Sequence, residues 1–200
     1  MTDHYFTNQP DAPHARKEWQ FELLGKQFRF TTDRNVFSKQ TVDFGSRVLI
    51  DTFDDTALPA GAILDVGCGY GPIGLALAYS TKRQVEMVDI NQRAVALAQE
   101  NAEKNGISHV LIHTSDIYKE VHGTAFAAIV SNPPIRAGKQ VVHDIIAGAY
   151  PLLQTAGTLT LVVQKKQGAP SAKKKMAEVF GNAEVVRKEK GYYILVSRKD

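Results

Sequence analysis

Two periodicities alternate along this chain. Short apolar runs at 63–66 (interrupted by Asp65) and 126–130 suit buried strands, and 85–88, 110–113 and 158–163 also read as strands. Between them lie stretches with apolar residues on one helical face. Pro72 stands where a helix would start, and Ile73 to Ala78 give it an apolar side. Ala94, Val95, Leu97, Ala98 and Ala102 share a face of 92–105, with Asn91 to cap that helix and Gly106 to stop it. Residues 140–153 and 172–180 carry the same pattern, and 185–186 and 192–196 read as two last strands around a Lys190-Gly191 turn. This alternation predicts an α/β fold with a doubly wound sheet over residues 61–200. The first 60 residues are different. Residues 19–23 and 28–31 alternate, with Gly25-Lys26 between them, which predicts a hairpin. A helix bearing Val42, Phe44, Val48, Leu49 and Phe53 follows. No repeat or low-complexity linker interrupts the chain, so one domain over 1–200 is expected, with an N-terminal extension (1–60) on a core (61–200).

Candidate chemistry gathers where strands end. Gly67, Gly69 and Gly71 occupy alternate positions directly after the 63–66 run, separated by Cys68 and Tyr70. Such a loop lets the backbone turn sharply and approach a ligand closely. Gly69, Gly71 and Gly74 fit G-x-G-x-x-G, and Asp89 stands 20 residues beyond Gly69 at the end of the next strand. That is also the dinucleotide fingerprint, with the acid on a ribose and pyrophosphate at the helix N-terminus. Asp65 speaks against it, because a carboxylate before the loop suits a positively charged cofactor. Asp65-x-Gly67-x-Gly69-x-Gly71, followed by a strand ending in Asp89, resembles motifs I and II of the class I S-adenosylmethionine (SAM)-dependent methyltransferases. The resemblance implies a Rossmann-like, seven-stranded, mostly parallel sheet and SAM as cofactor. It places Asp65, Gly67, Cys68, Gly69 and Gly71 around the methionine part, Asp89 and Ile90 at the ribose, and Asp116 at the adenine.

The 126–130 run ends in Ser131-Asn132-Pro133-Pro134-Ile135. Prolines donate nothing to a sheet and force the preceding residue into an extended conformation, so a stiff lip leaves the carboxyl end of this strand. Asn-Pro-Pro at such a place resembles motif IV of methyltransferases that act on amino nitrogens of planar groups: adenine N6, guanine N2 or a glutamine amide. An exocyclic amine is a poor nucleophile because its lone pair is delocalised into the ring. Two acceptors aimed at its N–H bonds hold it and favour a pyramidal nitrogen. The Asn132 side-chain oxygen and the Pro133 carbonyl are the candidates, with Pro134 completing the catalytic lip. Asn132, at the carboxyl end of a strand, where open α/β sheets bind their ligands, also joins the expected cofactor-binding set.

Val36-Phe37-Ser38 with Asp43, the Asp65 glycine loop and the octapeptide from Asn132 to Lys139 together resemble the ribosomal RNA small-subunit methyltransferase C family. The likeness extends over nearly the whole chain. It implies transfer to N2 of a guanine in 16S rRNA, with ribosomal RNA or the small subunit as partner. Two departures stand out. Better-characterised members have two methyltransferase-like domains, whereas one is expected here. Ile135 replaces the aromatic residue that many Asn-Pro-Pro enzymes can stack on the target base, and Phe37 or Arg136 could stack instead. Phe37, Ile135, Arg136 and Lys139 form the expected substrate-binding set. Adenine-N6 or protein-glutamine transfer would keep the chemistry; a nicotinamide-dependent oxidoreductase or a non-catalytic RNA-binding module would keep only the fold.

Charge bears on the partner. Net charge is only +3, but residues 1–130 carry 12 basic and 16 acidic side chains, against 12 and 5 in residues 131–200. The excess starts at the lip with Arg136 and Lys139 and runs through Lys165-Lys166 and Lys173-Lys174-Lys175, which suits a phosphate backbone. The single cysteine, Cys68, cannot form an internal disulfide, so a cytoplasmic setting is expected. Inside the glycine loop it reads as a packing residue, which argues against cytosine-C5 methylation through a thiol nucleophile. No apolar run approaches the ~18 residues of a membrane span, so no membrane partner is expected. His109 and His113 would lie about 13 Å apart on a strand, so no metal site is expected.

Overall fold

Each apolar run of the core becomes a strand in the computed structural model, which describes residues 15–33, 41–134 and 138–200. All are largely buried except 110–113, which forms an edge of the sheet with Leu111 59% exposed. The elements are β1 (Lys17–Leu23), β2 (Lys26–Thr32), α1 (Phe44–Thr52), β3 (Ile63–Val66), α2 (Pro72–Thr81), β4 (Val85–Asp89) and α3 (Gln92–Lys104). They continue with β5 (Val110–Thr114), β6 (Phe126–Ser131), α4 (Lys139–Leu152), β7 (Leu153–Gln164), α5 (Ala169–Phe180), β8 (Glu184–Glu189) and β9 (Tyr192–Arg198). The expected seven-stranded sheet has the order β5-β4-β3-β6-β7-β9-β8. Only β9 runs against its neighbours, antiparallel to both β7 and β8. The chain order reverses between β3 and β6, which lie side by side and parallel. In an open α/β sheet, ligands bind at the carboxyl ends of the strands at such a switch.

Side chains alternate across β3 and so divide the core. Ile63 joins the apolar cluster shared with α1, α2, α3 and the hairpin, whereas Leu64 and Val66 join the one shared with α4 and α5. Helix α2 has no polar face over its first two turns, and every residue from Pro72 to Ala78 is buried. A helix apolar all round must be covered on all sides, and β3, β4 and α1 all pack against it.

The hairpin, the glycine-loop unit and α3 form as expected, with Asn91 capping α3 by accepting from Arg93 N and Ala94 N. Several expectations shift: β7 begins at Leu153 rather than at 158, and Val42 and Phe53 flank α1 instead of lying in it. The hairpin turns at Leu24-Gly25 rather than Gly25-Lys26, both residues having positive φ, and Leu23 pairs with Lys26. Two left-handed residues are what a tight two-residue hairpin loop requires. Helix α5 starts at Ala169, three residues before the expected position, because Pro170 is accommodated in the first helical turn. Strand β8 is longer than 185–186, and as an edge strand it can carry Glu184, Arg187, Lys188 and Glu189. Among the described residues no helix is long and apolar enough to cross a membrane, and no group of three His, Cys, Asp or Glu could hold a metal ion.

Candidate active site

The loop after β3 is carried by its backbone. Gly67 N and Cys68 N both donate to Val88 O, at 2.8 and 2.9 Å, so the chain stays tied to β4 as it leaves the sheet. Gly67 and Gly69 have φ of 74° and 58°, which a side chain would strain. The glycines divide the work. A methyl group on Gly67 would meet nothing within 4 Å, leaving open space for a ligand, whereas one on Gly74 would lie 2.7 Å from Met87. Gly74 therefore lets α2 close onto β4. The Cys68 side chain belongs to the apolar core, and burial pushes its thiol well above the ordinary range, with Asp89 and Asp65 adding to the rise. It packs as expected; any contact from this residue to a cofactor would come from its backbone.

Asp65 is fully buried. Its Oδ2 accepts from Gly74 N at 2.8 Å, while Oδ1 has no hydrogen-bond partner among the described residues. Burial, partly opposed by the Gly74 N–H and assisted by the nearby Asp89 charge, raises its pKa to about 7. A buried carboxylate oxygen without a partner among the described residues is left to be satisfied by a proton or a donor from a ligand. Asp89 is also buried and its pKa is raised by burial, against N–H bonds from Asn91, Gly69 and Ile90. Its Oδ2 accepts from Gly69 N at 2.8 Å and its Oδ1 from Asn91 N at 2.9 Å. The acid expected at a ribose thus also clasps the glycine loop to the β4–α3 turn, and the remaining lone pairs of a carboxylate allow it to do both. Ser115 N donates to Asp89 O at 3.0 Å, bringing the loop of Asp116 beside that turn. Asp116 itself is ion-paired to Lys119 at the surface.

The lip lies next to this loop. Ser131 Oγ donates to Val66 O at 2.6 Å, joining the ends of β6 and β3. Asn132 follows, half-buried, with Pro133 buried and Pro134 half-buried behind it. The Asn132 Nδ2 donates to Asp43 Oδ2 and to Ser46 Oγ, both at 2.9 Å. Lys139 opens α4 and is exposed. Phe37, Ile135 and Arg136 lie outside the described residues.

Four residues that sequence reading did not assign to the site help to build it. Asp43 and Ser46 reach Asn132 from the first turn of α1. Tyr70 OH donates to Thr41 O at 3.4 Å, and its ring packs edge-on against Phe30 and Trp19. Asn101, fully buried, accepts from Thr31 N at 2.7 Å and donates to Tyr70 O at 2.9 Å. These bonds hold the N-terminal extension against the glycine loop and the lip. Asp43 already counts toward the family resemblance, without a role, and Asp43-Phe44-Gly45-Ser46, in which an acid can act as N-cap, is the further signal in the sequence.

The family model described as methyltransferase small domain matches residues 27–196. An uncharacterized protein, YbxB, of Bacillus subtilis (strain 168) is 51% identical over 201 residues, the full length of both chains. Ribosomal RNA small subunit methyltransferase C of Salmonella typhi is 34% identical over 172 residues, covering 82% of this chain and 48% of its own. Among solved structures, the T. Thermophilus 16S rRNA N2 methyltransferase RsmC, in complex with AdoMet and guanosine, superposes with a TM-score of 0.84 at 24% identity. That match covers 96% of this chain and 52% of the other, so the chain spans about half the length of the ribosomal RNA methyltransferases it resembles.

Proposed function

This chain belongs to the methyltransferase small domain family, class I enzymes that use SAM, and we propose that it methylates the exocyclic N2 of a guanine in small-subunit ribosomal RNA. The observation that carries this reading is the state of Asn132. Both hydrogens of its amide are taken by Asp43 and Ser46, and among the described residues its oxygen has no donor, which leaves it to accept from a ligand. It stands at the carboxyl end of β6, beside the loop whose Asp65 and Gly67 fit a cationic cofactor. SAM, when bound, supplies an electrophilic methyl group on a sulfonium. The Asn132 oxygen and the Pro133 carbonyl would accept the two N–H bonds of the target amine and direct its lone pair. Positive charge developing on that nitrogen would strengthen both hydrogen bonds, a gain concentrated in the transition state. Alignment of this kind can contribute up to about 7–11 kcal/mol.

Ribosomal RNA as the acceptor is supported by the relatives and by where the lysines lie. Lys139 opens α4, Lys165 and Lys166 form the 3-10 turn after β7, and Lys190 sits in the β8–β9 turn opposite the end of β7. All are exposed at the carboxyl edge of the sheet, where Asn132 stands. Lys173 and Lys174 continue the patch along α5. His143 reports the same field: its pKa is lowered by burial first and then by Lys139 and Lys175.

The test is transfer of labelled methyl from SAM to small subunits isolated from a strain lacking this gene, with naked 16S rRNA and bulk protein in parallel. N2-methylguanosine is the expected product. Label in N6-methyladenosine or in protein glutamine would keep the chemistry and replace the acceptor. SAM binding without transfer to any of the three would overturn the reading.

A further inference from the structure

An amide side chain has two ends of similar shape, and only one of them suits the role proposed for Asn132. A carboxylate can only accept, so the end facing Asp43 must be the NH2 group. Ser46 Oγ takes the second hydrogen. With both Nδ2 hydrogens engaged on the α1 side, Oδ1 is turned away from that helix. Asp43 and Ser46 are themselves held firmly. Asp43 caps α1 through the Ser46 N–H at 3.1 Å, and the helix start cannot slide, because a methyl on Gly45 would lie 2.8 Å from the Tyr192 ring. Phe44 packs on the same ring, and Tyr192 OH accepts from Gln164 Nε2 at 2.6 Å.

We infer that Asp43 and Ser46 are positioning residues that fix which way round the Asn132 amide stands, so that its oxygen rather than its nitrogen meets the acceptor amine. The inference rests on the reading of Asn132 given under the proposed function. A rotated amide would present two donors to the N–H bonds of the target, leaving them unaccepted and repelling the amine. The negative charge of Asp43 also polarises the amide toward a more basic oxygen, since charge-assisted hydrogen bonds are the stronger kind. The extension outside the minimal fold thereby sets the chemistry of the core.

The competing view is that Asp43 serves only as a helix cap. Asn and Ser cap about as well as Asp, so substitution separates the two roles. Asp43→Asn keeps an oxygen within reach of Asn132 and should retain most of the wild-type kcat. Asp43→Ser is too short to reach, and combined with Ser46→Ala it frees the amide; kcat should then fall at least about tenfold, while SAM affinity and thermal midpoint stay near wild type. In 15N-labelled protein, the two side-chain protons of Asn132, assigned by their loss in Asn132→Asp, should be distinct and slow to exchange. They should exchange rapidly in the Asp43→Ser, Ser46→Ala protein. Equal kcat in all variants, or a loss of kcat that tracks loss of stability or SAM affinity, would overturn the inference. If the wild-type protein methylates no acceptor, the proposed function fails, and the amide protons still decide whether Asp43 and Ser46 hold Asn132.

Discussion

The glycine loop and the Asn132 lip leave neighbouring strands and touch through Ser131 and Val66, yet they are built by opposite means. The loop is made of backbone: left-handed glycines, N–H groups and two buried carboxylates, all from residues 65–91. The lip depends on one side chain whose orientation comes from residues 43 and 46, far away in sequence. A cofactor common to many enzymes can be held by a local, self-contained motif. An acceptor that differs between enzymes is met by parts that can be exchanged. The difference predicts that damage to the lip spares cofactor binding, and that damage to the loop does not spare the lip.

The largest effect should come from Asn132→Ala. Removing a preorganised acceptor that acts in the transition state costs on the order of 10²–10³ in kcat, and SAM binding measured by calorimetry should be nearly unchanged. Equal loss of both would merge the two regions into one. Asp65→Asn should do the reverse at the binding step. Loss of a carboxylate opposite a cationic ligand is expected to weaken SAM affinity about tenfold or more. Its pH dependence has a definite sign. The folded-state pKa of about 7 lies above the ordinary aspartate value of 3.8, so the free protein binds this proton more tightly when folded. The associated stability is present below about pH 4 and is lost as pH rises to 7, by a few kcal/mol in all. SAM affinity should rise over the upper part of that range as the carboxylate ionises. Both trends should flatten in Asp65→Asn, as followed by urea unfolding and titration at several pH values.

A contrast inside the loop is the next test. Gly74→Ala forces a methyl against Met87, a side chain that can partly yield, so the expected cost is about 1–3 kcal/mol of stability. Gly67→Ala meets open space and costs roughly 1–2 kcal/mol for its left-handed backbone. Its added effect should be weaker SAM binding, because the methyl occupies the room left for the ligand. Denaturant midpoints and SAM titrations on the two variants should therefore rank them in opposite orders.

The same contrast explains what the sequence reveals. Strands β3, β4 and β6 are short, largely apolar and buried on both faces, and Asp65 and Asp89 near the ends of the first two and Asn132 just beyond the third stand at readable positions. Local spacing is enough there, because backbone geometry itself demands glycine and proline. The unpartnered Asp65 oxygen was not readable, since the sequence shows an acid but not which of its oxygens a glycine N–H will take. Nor was the bond from Asp43 to Asn132, which spans 89 residues and exists only because α1 packs beside β7 and β9. Edge strand β8 was half hidden by its charges, which look like a loop until solvent on one side is taken into account.

The smallest expected effect concerns the lysine edge, which belongs to neither region and should bind without discriminating. Lys165, Lys166, Lys173 and Lys174 are exposed, and none has an acidic partner among the described residues. If all four meet phosphates of a single strand, replacing them with Gln should reduce the log–log salt slope of RNA binding by about 3. Affinity should weaken to a similar degree for matched and scrambled RNA, because phosphate contacts position a strand without reading it. The kcat at saturating RNA should hold, since among the described residues none of these side chains bonds to Asn132, Asp43 or Ser46. An unchanged salt slope would move the RNA to another face of the molecule, and a fall in kcat would mean that the edge helps present the guanine as well as hold its strand.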